Sequence, residues 1–171
     1  QLRNKRFDEK IYRQIFRESD IYSVIESSNI KTKKCFKFSE PDLINWISEL
    51  KPDILVCHTS EWVPKKVRAI PSVKYVIGGH PGITQSYRGA HSPFWAIYNR
   101  DKNSVGWTTF FLTSGVDAGE IIDQGRIKDK GENSFFSLSW IGMREIALSH
   151  VRPISLLTNS EKIKSNKNSF I

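Results

Sequence analysis

The sequence has no long hydrophobic run and only two cysteines. No apolar stretch approaches the roughly 20 residues that a membrane-spanning helix needs, and the first ten residues are mostly charged or polar, unlike a secretory signal. Cys35 and Cys57 are too few for a disulfide framework and resemble ordinary intracellular thiols. We therefore expect a cytoplasmic protein without a membrane partner.

The sequence also lacks the usual short motifs of metal, phosphate and serine-nucleophile sites. Its four histidines have no metal-ligand spacing, and its cysteines do not form a Cys-x-x-Cys pair. No glycine-rich loop is of the Walker or dinucleotide type, and no serine lies in a nucleophile elbow. We therefore expect a site without a metal ion.

Acidic residues are outnumbered by basic ones, which gives the chain a formal net charge of +8. Such a charge suits nucleic acid, or small anionic ligands such as phosphates and polyglutamates. The lysines are scattered, however, and no basic helix is interleaved with stacking aromatic residues. Nucleic-acid binding is therefore not expected, and an RNA-binding protein remains an alternative that only the charge suggests.

With 171 residues, the chain is long enough for one domain with a proper core. We assign residues 1–158 to this domain and residues 159–171, which are rich in Lys, Asn and Ser, to a flexible polar tail. Near the amino end, the apolar spacing of residues 7–20 predicts an amphipathic helix, and the β-branched residues of 21–25 predict a strand.

The middle of the chain alternates between helix and strand signals. A helix is predicted to begin around Ser39, which can act as its cap, and to end at Lys51. Continuous apolar runs at residues 54–57 and 73–77 predict buried strands, with a short helix over residues 64–70 between them. This alternation predicts an α/β fold with a mostly parallel sheet and helices on both faces.

Two loops follow the predicted strands, at residues 58–63 and 78–89. In α/β sheets, ligands bind at the carboxyl ends of the strands, so these loops mark the expected site. Beyond the second loop, Ser92 before Pro93 predicts the start of another helix, with the serine as its cap.

His80 and Asp117 are the candidate acid-base residues, because both lie in loops that follow predicted strands. A histidine can take a proton from an amine or return one near neutral pH. A nearby carboxylate favours the imidazolium and holds the ring in place. The ordinary alternative is a structural histidine, with the aspartate serving only a turn between Gly115 and Gly119.

Four motifs, in order along the chain, resemble the formyltransferases that use 10-formyltetrahydrofolate. They are His80-Pro81-Gly82-Ile83, Tyr87-Arg88-Gly89, Phe94-Trp95-Ala96-Ile97 and Gly115-Val116-Asp117-Ala118-Gly119-Glu120-Ile121-Ile122. The similarity starts upstream, at the strand beginning Lys51-Pro52-Asp53, and covers residues 51–127. It implies a Rossmann-like formyltransferase core, whose first strand would be missing or unrecognisable here, and 10-formyltetrahydrofolate as the formyl donor.

The resemblance also implies residue roles. His80 would act in proton transfer, and Asp117 would orient it together with a shuttling water. The family's Asn-x-His motif places an asparagine two residues before the histidine, where its amide would donate to the tetrahedral oxyanion. This chain has Gly78 at that catalytic position. Three alternatives follow: backbone amides of Gly78 or Gly79 substitute, the enzyme is slow, or the chain is a relative that binds folate or nucleotide without formylating.

The remaining expected site residues form two groups. Folate contacts are expected from Trp62, Val63, Gly115 and Val116. Acceptor contacts are expected from Tyr87, Arg88 and Gly89. The motifs look closest to those of sugar N-formyltransferases, and the segment after residue 127 is too short for the extra barrel domain of methionyl-tRNA enzymes. The expected acceptor is thus the amine of a nucleotide-linked amino sugar, with glycinamide ribonucleotide as an alternative and a homodimer as an open assembly.

Overall fold

The structure is a computed structural model that describes residues 27–128 and 133–158. The helix predicted at residues 7–20, the strand predicted at residues 21–25 and the tail predicted at residues 159–171 lie outside the described residues. The site predictions all fall within them.

Nine helices and strands and one 3₁₀ turn follow one another along the described part of the chain. In order they are α1 (Pro41–Leu50), β1 (Ile54–Cys57), α2 (Lys65–Arg68), β2 (Tyr75–His80), α3 (Ser92–Tyr98), a 3₁₀ turn (Lys102–Ser104), β3 (Gly106–Phe111), β4 (Ile121–Arg126), α4 (Phe135–Ser149) and α5 (Val151–Thr158). The first five of these helices and strands, α1, β1, α2, β2 and α3, each overlap a segment for which the sequence predicts the same type of structure.

The four described strands form one sheet in the order β1-β2-β3-β4. β1 and β2 pair in parallel, with Cys57 opposite Gly78. β3 is antiparallel to both of its neighbours, with His80 opposite Thr108 on one side and Gln124 opposite Thr108 on the other. Three of the four strands therefore point the same way, and the sheet is mixed because β3 runs against them.

Helices cover both faces of this sheet. On one face, α1 and α2 contribute Leu43, Ile47 and Val67 to a core that also packs against Leu55 and Cys57 of β1. On the other face lies α4, whose Ile146 is fully buried and packs directly on Gly79. Successive side chains of a strand point to opposite faces, so Gly78 and His80 share the face opposite to α4. The α/β, Rossmann-like fold class is confirmed.

The start of α3 differs from the prediction in one respect. His91, with a φ of 60°, occupies the cap position, and Ser92 is the first helical residue. No side chain caps this helix, so the Ser92 hydroxyl is available for another partner.

Within the described residues, every helix is too short or too polar to cross a bilayer.

Candidate active site

A cavity of about 390 Å³ opens at the carboxyl ends of β1 and β2. Its wall comes from residues 57–63 at the end of β1 and in the loop after it, residues 78–81 of β2 and the following loop, residues 89–91 before α3, and the loop that follows β3. The volume lies within the range of roughly 300–1,000 Å³ that is typical of small-molecule sites. Both loops in which the sequence predicts a site contribute to the cavity.

His80 and Asp117 meet in the wall of this cavity. The Nδ1 atom of His80 lies 3.3 Å from Asp117 Oδ2, and the two side chains are 7% and 21% exposed. The Asp117 backbone has a φ of 46°, a left-handed conformation that aspartate tolerates better than most residues. The same Oδ2 atom accepts a hydrogen bond of 2.8 Å from the Gly89 backbone N–H. Two segments distant in sequence thus fix the carboxylate beside the imidazole.

The second ring nitrogen of His80 is also occupied. Its Nε2 atom lies 2.7 Å from the hydroxyl of Ser92, a serine with 1% of its surface exposed. Because a carboxylate only accepts hydrogen bonds, the proton of a neutral imidazole belongs on Nδ1, and Nε2 then accepts from Ser92. The arrangement favours one tautomer and one ring orientation.

Burial lowers the pKa of His80 below its ordinary value near 6.5. The negative charge of Asp117 and a hydrogen bond with the Tyr87 carbonyl oppose this effect without overcoming it. His80 is therefore neutral near pH 7 and can accept a proton, and a carboxylate is in place to stabilise the imidazolium that results.

The loop after His80 is held by a buried threonine. Thr108 of β3 donates a hydrogen bond of 2.7 Å to the Gly82 carbonyl and accepts one of 2.7 Å from the Gln124 side chain. A Cβ atom at Gly82 would lie 2.7 Å from His80 Nε2, so a larger residue there would press on the ring. The glycine of the His-Pro-Gly loop is required by this close approach.

Gly78 lies on the same face of β2 as His80 and lines the cavity. Its backbone pairs with Cys57 on one side and Phe110 on the other, so its N–H points in the plane of the sheet. This pairing counts against the Gly78 amide as an oxyanion donor. A Cβ atom at this position would lie 2.7 Å from Leu112 Cδ1, so Leu112 occupies the space of the side chain that glycine lacks.

All four residues expected to contact folate line the cavity: Trp62, Val63, Gly115 and Val116. The Trp62 ring is half exposed, and the guanidinium of Arg68 lies 5.9 Å from its centre. Arg68 also donates a hydrogen bond of 3.1 Å to the Val63 carbonyl, which ties the loop to α2. An exposed aromatic face held in a loop suits stacking on a flat heterocycle.

Of the three residues expected to contact the acceptor, one lines the cavity and two do not. Gly89 lines the cavity and holds Asp117 through its N–H, whereas Tyr87 and Arg88 lie outside the cavity wall. Tyr87 accepts a hydrogen bond of 3.2 Å from Asn99, and the Nε atom of Arg88 donates one of 2.8 Å to the Thr84 carbonyl. The Arg88 side chain is exposed at the surface beside the cavity.

Several cavity or site residues are missing from the sequence prediction. His58 and His91 line the cavity, and Ser92, which lies outside the cavity wall, contacts His80. The position of His58 directly after β1 is a signal that the strand-end rule could have used. Cys57 also lines the cavity, but burial raises the pKa of its thiol to about 11, which leaves it a poor nucleophile.

Among residues 27–128 and 133–158, no three His, Cys, Asp or Glu side chains form a group that could hold a metal ion.

Comparison with known proteins gives consistent matches. The formyl transferase family model matches residues 7–135, which is more than half of the chain. A methionyl-tRNA formyltransferase of Acetivibrio thermocellus is 32% identical over 102 residues, which are 59% of this chain and 32% of that protein. The corresponding protein of Clostridium beijerinckii is 41% identical over 93 residues, 53% of this chain and 28% of the relative. The chain thus spans about a third of the length of these curated relatives.

Solved structures share the fold. A phosphoribosylglycinamide formyltransferase from Anaplasma phagocytophilum superposes with a TM-score of 0.68 at 19% identity, covering 84% of this chain and 71% of that one. A sugar N-formyltransferase from a Shewanella species superposes with a TM-score of 0.59 at 18% identity, covering 80% of this chain and 54% of that one.

Proposed function

The chain belongs to the formyl transferase family, and from this premise we propose that it moves a formyl group from 10-formyltetrahydrofolate to the amine of a nucleotide-linked amino sugar. The observation that carries the proposal is the pair of His80 and Asp117 in the cavity wall, with 3.3 Å between ring nitrogen and carboxylate oxygen. A neutral, oriented base beside a small-molecule cavity is what amine activation requires.

In the proposed reaction, the acceptor nitrogen bonds to the formyl carbon, and the bond between this carbon and N10 of the folate breaks. One proton leaves the acceptor nitrogen, and one proton ends on N10, so the enzyme returns to its starting state. His80 takes part in this transfer as the base, and Asp117 stabilises the imidazolium. Asp117 is the more exposed of the two side chains, so a proton reaching the pair through water meets its carboxylate first.

The folate would lie along the loop of residues 57–63, with Trp62 available for stacking and the loop after β3 opposite. The acceptor would approach past Gly89, where Arg88 is exposed and carries a charge suited to a phosphate. The net charge of +8 also suits two anionic substrates, a folate and a sugar nucleotide. The cytoplasmic setting expected from the two free thiols, and a homodimer as the assembly, are part of this proposal.

One observation favours a second function, a folate-binding relative with impaired transfer. Gly78 has no side chain to donate to the tetrahedral oxyanion, and Leu112 fills the space beside it. Loss of one such donor costs about a hundredfold to a thousandfold in rate in other acyl-transfer enzymes. The impaired relative would bind folate in the same cavity but transfer its formyl group very slowly.

The acceptor is tested with a panel of amines. Nucleotide-linked amino sugars, glycinamide ribonucleotide and methionyl-tRNA are each incubated with the protein and 10-formyltetrahydrofolate, and a gain of one formyl group is measured by mass spectrometry. The methionyl-tRNA is included because the curated relatives named above act on it and the chain is basic. The proposal expects the largest gain with an amino sugar, and a gain confined to another acceptor would reassign the substrate.

The impaired relative is distinguished by binding. Quenching of tryptophan fluorescence by tetrahydrofolate reports occupancy of the cavity next to Trp62, and a Trp62→Phe variant identifies that signal. Folate binding without formylation of any acceptor would favour the binding protein. Neither binding nor formylation would count against both functions.

A further inference from the structure

The hydroxyl of Ser92 is surrounded by three hydrogen-bonding partners. His80 Nε2 lies 2.7 Å away, the Gly89 carbonyl 3.3 Å and the Tyr87 carbonyl 3.4 Å. Ser92 is almost completely buried and begins α3 without capping it. Its oxygen thus lies within hydrogen-bonding distance of the ring of His80 and of two backbone carbonyls.

A hydroxyl can serve both protonation states of the ring. In the neutral state, Nδ1 donates toward Asp117 and Nε2 needs a donor, which Ser92 supplies. In the imidazolium state, Nε2 carries a proton and needs an acceptor. The Ser92 oxygen can then accept, while its own proton turns to the carbonyl of Gly89 or Tyr87.

Among residues 27–128 and 133–158, one charged group, Asp117, acts on the ring of His80. Asp117 reaches it from the loop between β3 and β4, the loop before α3 contributes the Tyr87 carbonyl, and the first residue of α3 contributes the Ser92 hydroxyl. In a buried site, an unsatisfied ring nitrogen would destabilise whichever protonation state lacked a partner. A rotating hydroxyl removes that penalty from both states.

We propose that Ser92 is a positioning residue for His80: its hydroxyl satisfies Nε2 in both protonation states and lets His80 take and return a proton without turning. The hydrogen bond itself is independent of the reaction, and only its effect on turnover rests on the proposed function. Asp117, His80 and Ser92 lie in the same order as the residues of a Ser-His-Asp triad. Ser92 lies outside the cavity wall, however, so it is not a nucleophile.

The direct test uses the unaltered protein labelled with ¹⁵N in its histidines. Long-range proton–nitrogen spectra report which ring nitrogen of His80 carries the proton. Above its pKa, the proposal expects the proton on Nδ1 and an Nε2 shift typical of a hydrogen-bonded acceptor. A neutral His80 protonated on Nε2 would overturn the proposal, with no need for a variant.

Replacing Ser92→Ala removes the hydroxyl that is the partner of Nε2 in both protonation states. The pKa of His80 should therefore shift, and the neutral ring should no longer hold its proton on Nδ1 alone. Ser92→Thr, which keeps the hydroxyl, should restore the original spectrum. The matched control is Ser139→Ala, because Ser139 also donates to a backbone carbonyl, at 2.8 Å, but lies on α4. It should leave the His80 spectrum unchanged.

Turnover provides the second measurement. Ser92→Ala should lower kcat about tenfold, the rate equivalent of one hydrogen bond, while KM for folate stays unchanged. An unchanged His80 spectrum in Ser92→Ala would contradict the positioning role whatever the activity. An altered spectrum in a protein that never formylates would support the hydrogen bond and count against the proposed function instead.

Discussion

His80 Nδ1 and Asp117 Oδ2 lie 3.3 Å apart, although 37 residues separate them in the chain. Asp117 lies in the loop between β3 and β4, where its carboxylate is anchored by the Gly89 N–H at 2.8 Å. The contact fixes where the imidazole holds its proton. It also couples the charge of Asp117 to the basicity of His80.

Asp117→Asn is expected to lower kcat by about a hundredfold to ten-thousandfold, the usual contribution of a positioned acid-base pair. The amide keeps the size of the carboxylate but cannot stabilise the imidazolium, so the pKa of His80 should fall further. Formylation rates and the His80 titration by NMR measure both effects. Asp53→Asn is the control, because Asp53 pairs with Lys74 at the exposed surface, and it should leave both unchanged.

Gly78→Asn is expected to crowd Leu112 and to lower the free energy of unfolding by about 1–3 kcal/mol. Adding Leu112→Ala should open the space beside the new amide. If the missing donor limits the reaction, the double variant should be faster than the original protein by about a hundredfold to a thousandfold. Chemical denaturation and steady-state kinetics check the two parts. A rate unchanged in a stably folded double variant would show that the oxyanion is stabilised elsewhere.

Stability is expected to fall as the pH drops below about 6.5. Burial lowers the pKa of both His80 and His150, and for His150 the neighbouring His58 adds to this effect. Below 6.5, the unfolded chain binds protons that the folded protein does not. The free energy of unfolding should therefore decrease by up to about 1.4 kcal/mol per pH unit for each histidine that stays neutral.

Urea titrations between pH 5 and pH 7.5 measure this slope. His150→Gln should make it shallower, because one of the two buried rings is gone. A free energy of unfolding that rises toward pH 5 would contradict the expected direction of both pKa shifts.

Gly79→Ala is expected to destabilise the fold by about 1–3 kcal/mol, because its methyl group would overlap the buried side chain of Ile146. Ile146→Ala alone also destabilises, by leaving a cavity. The double variant should lose less stability than the sum of the two single variants, because the smaller side chain at position 146 leaves room for the new methyl group at position 79. Thermal unfolding of the three variants gives the coupling energy, and strict additivity would mean that α4 does not pack on Gly79 as described.

Local signals were enough to predict much of the fold. The apolar run Ile54–Cys57 predicts a strand because it is short and continuous, and Ser92-Pro93 predicts a helix start. The direction of β3 could not be read from its residues, since an antiparallel strand between two others is decided by pairing across the sheet. For the same reason, the sequence does not predict that the sheet is mixed.

The candidate site was predictable where residues follow strands. The sequence predicts both His80 and Asp117 in such loops, and the structure brings the two together, with His80 as the last residue of β2. Serine before proline usually caps a helix, so the sequence predicts that role for Ser92. Its actual partner is 12 residues away in sequence and depends on how the loop between them folds. The sequence likewise gives no signal for the contact of Leu112 with Gly78, since only the antiparallel pairing of β3 brings Leu112 over Gly78.

The central role in the proposed reaction belongs to His80, as the base in formyl transfer. The decisive measurement is the rate of tetrahydrofolate release from 10-formyltetrahydrofolate in the presence of the best acceptor, for the original protein and for His80→Gln. We predict acceptor-dependent release that falls at least about a hundredfold in His80→Gln, with folate binding retained. Acceptor-dependent release that continues undiminished in His80→Gln would contradict the account.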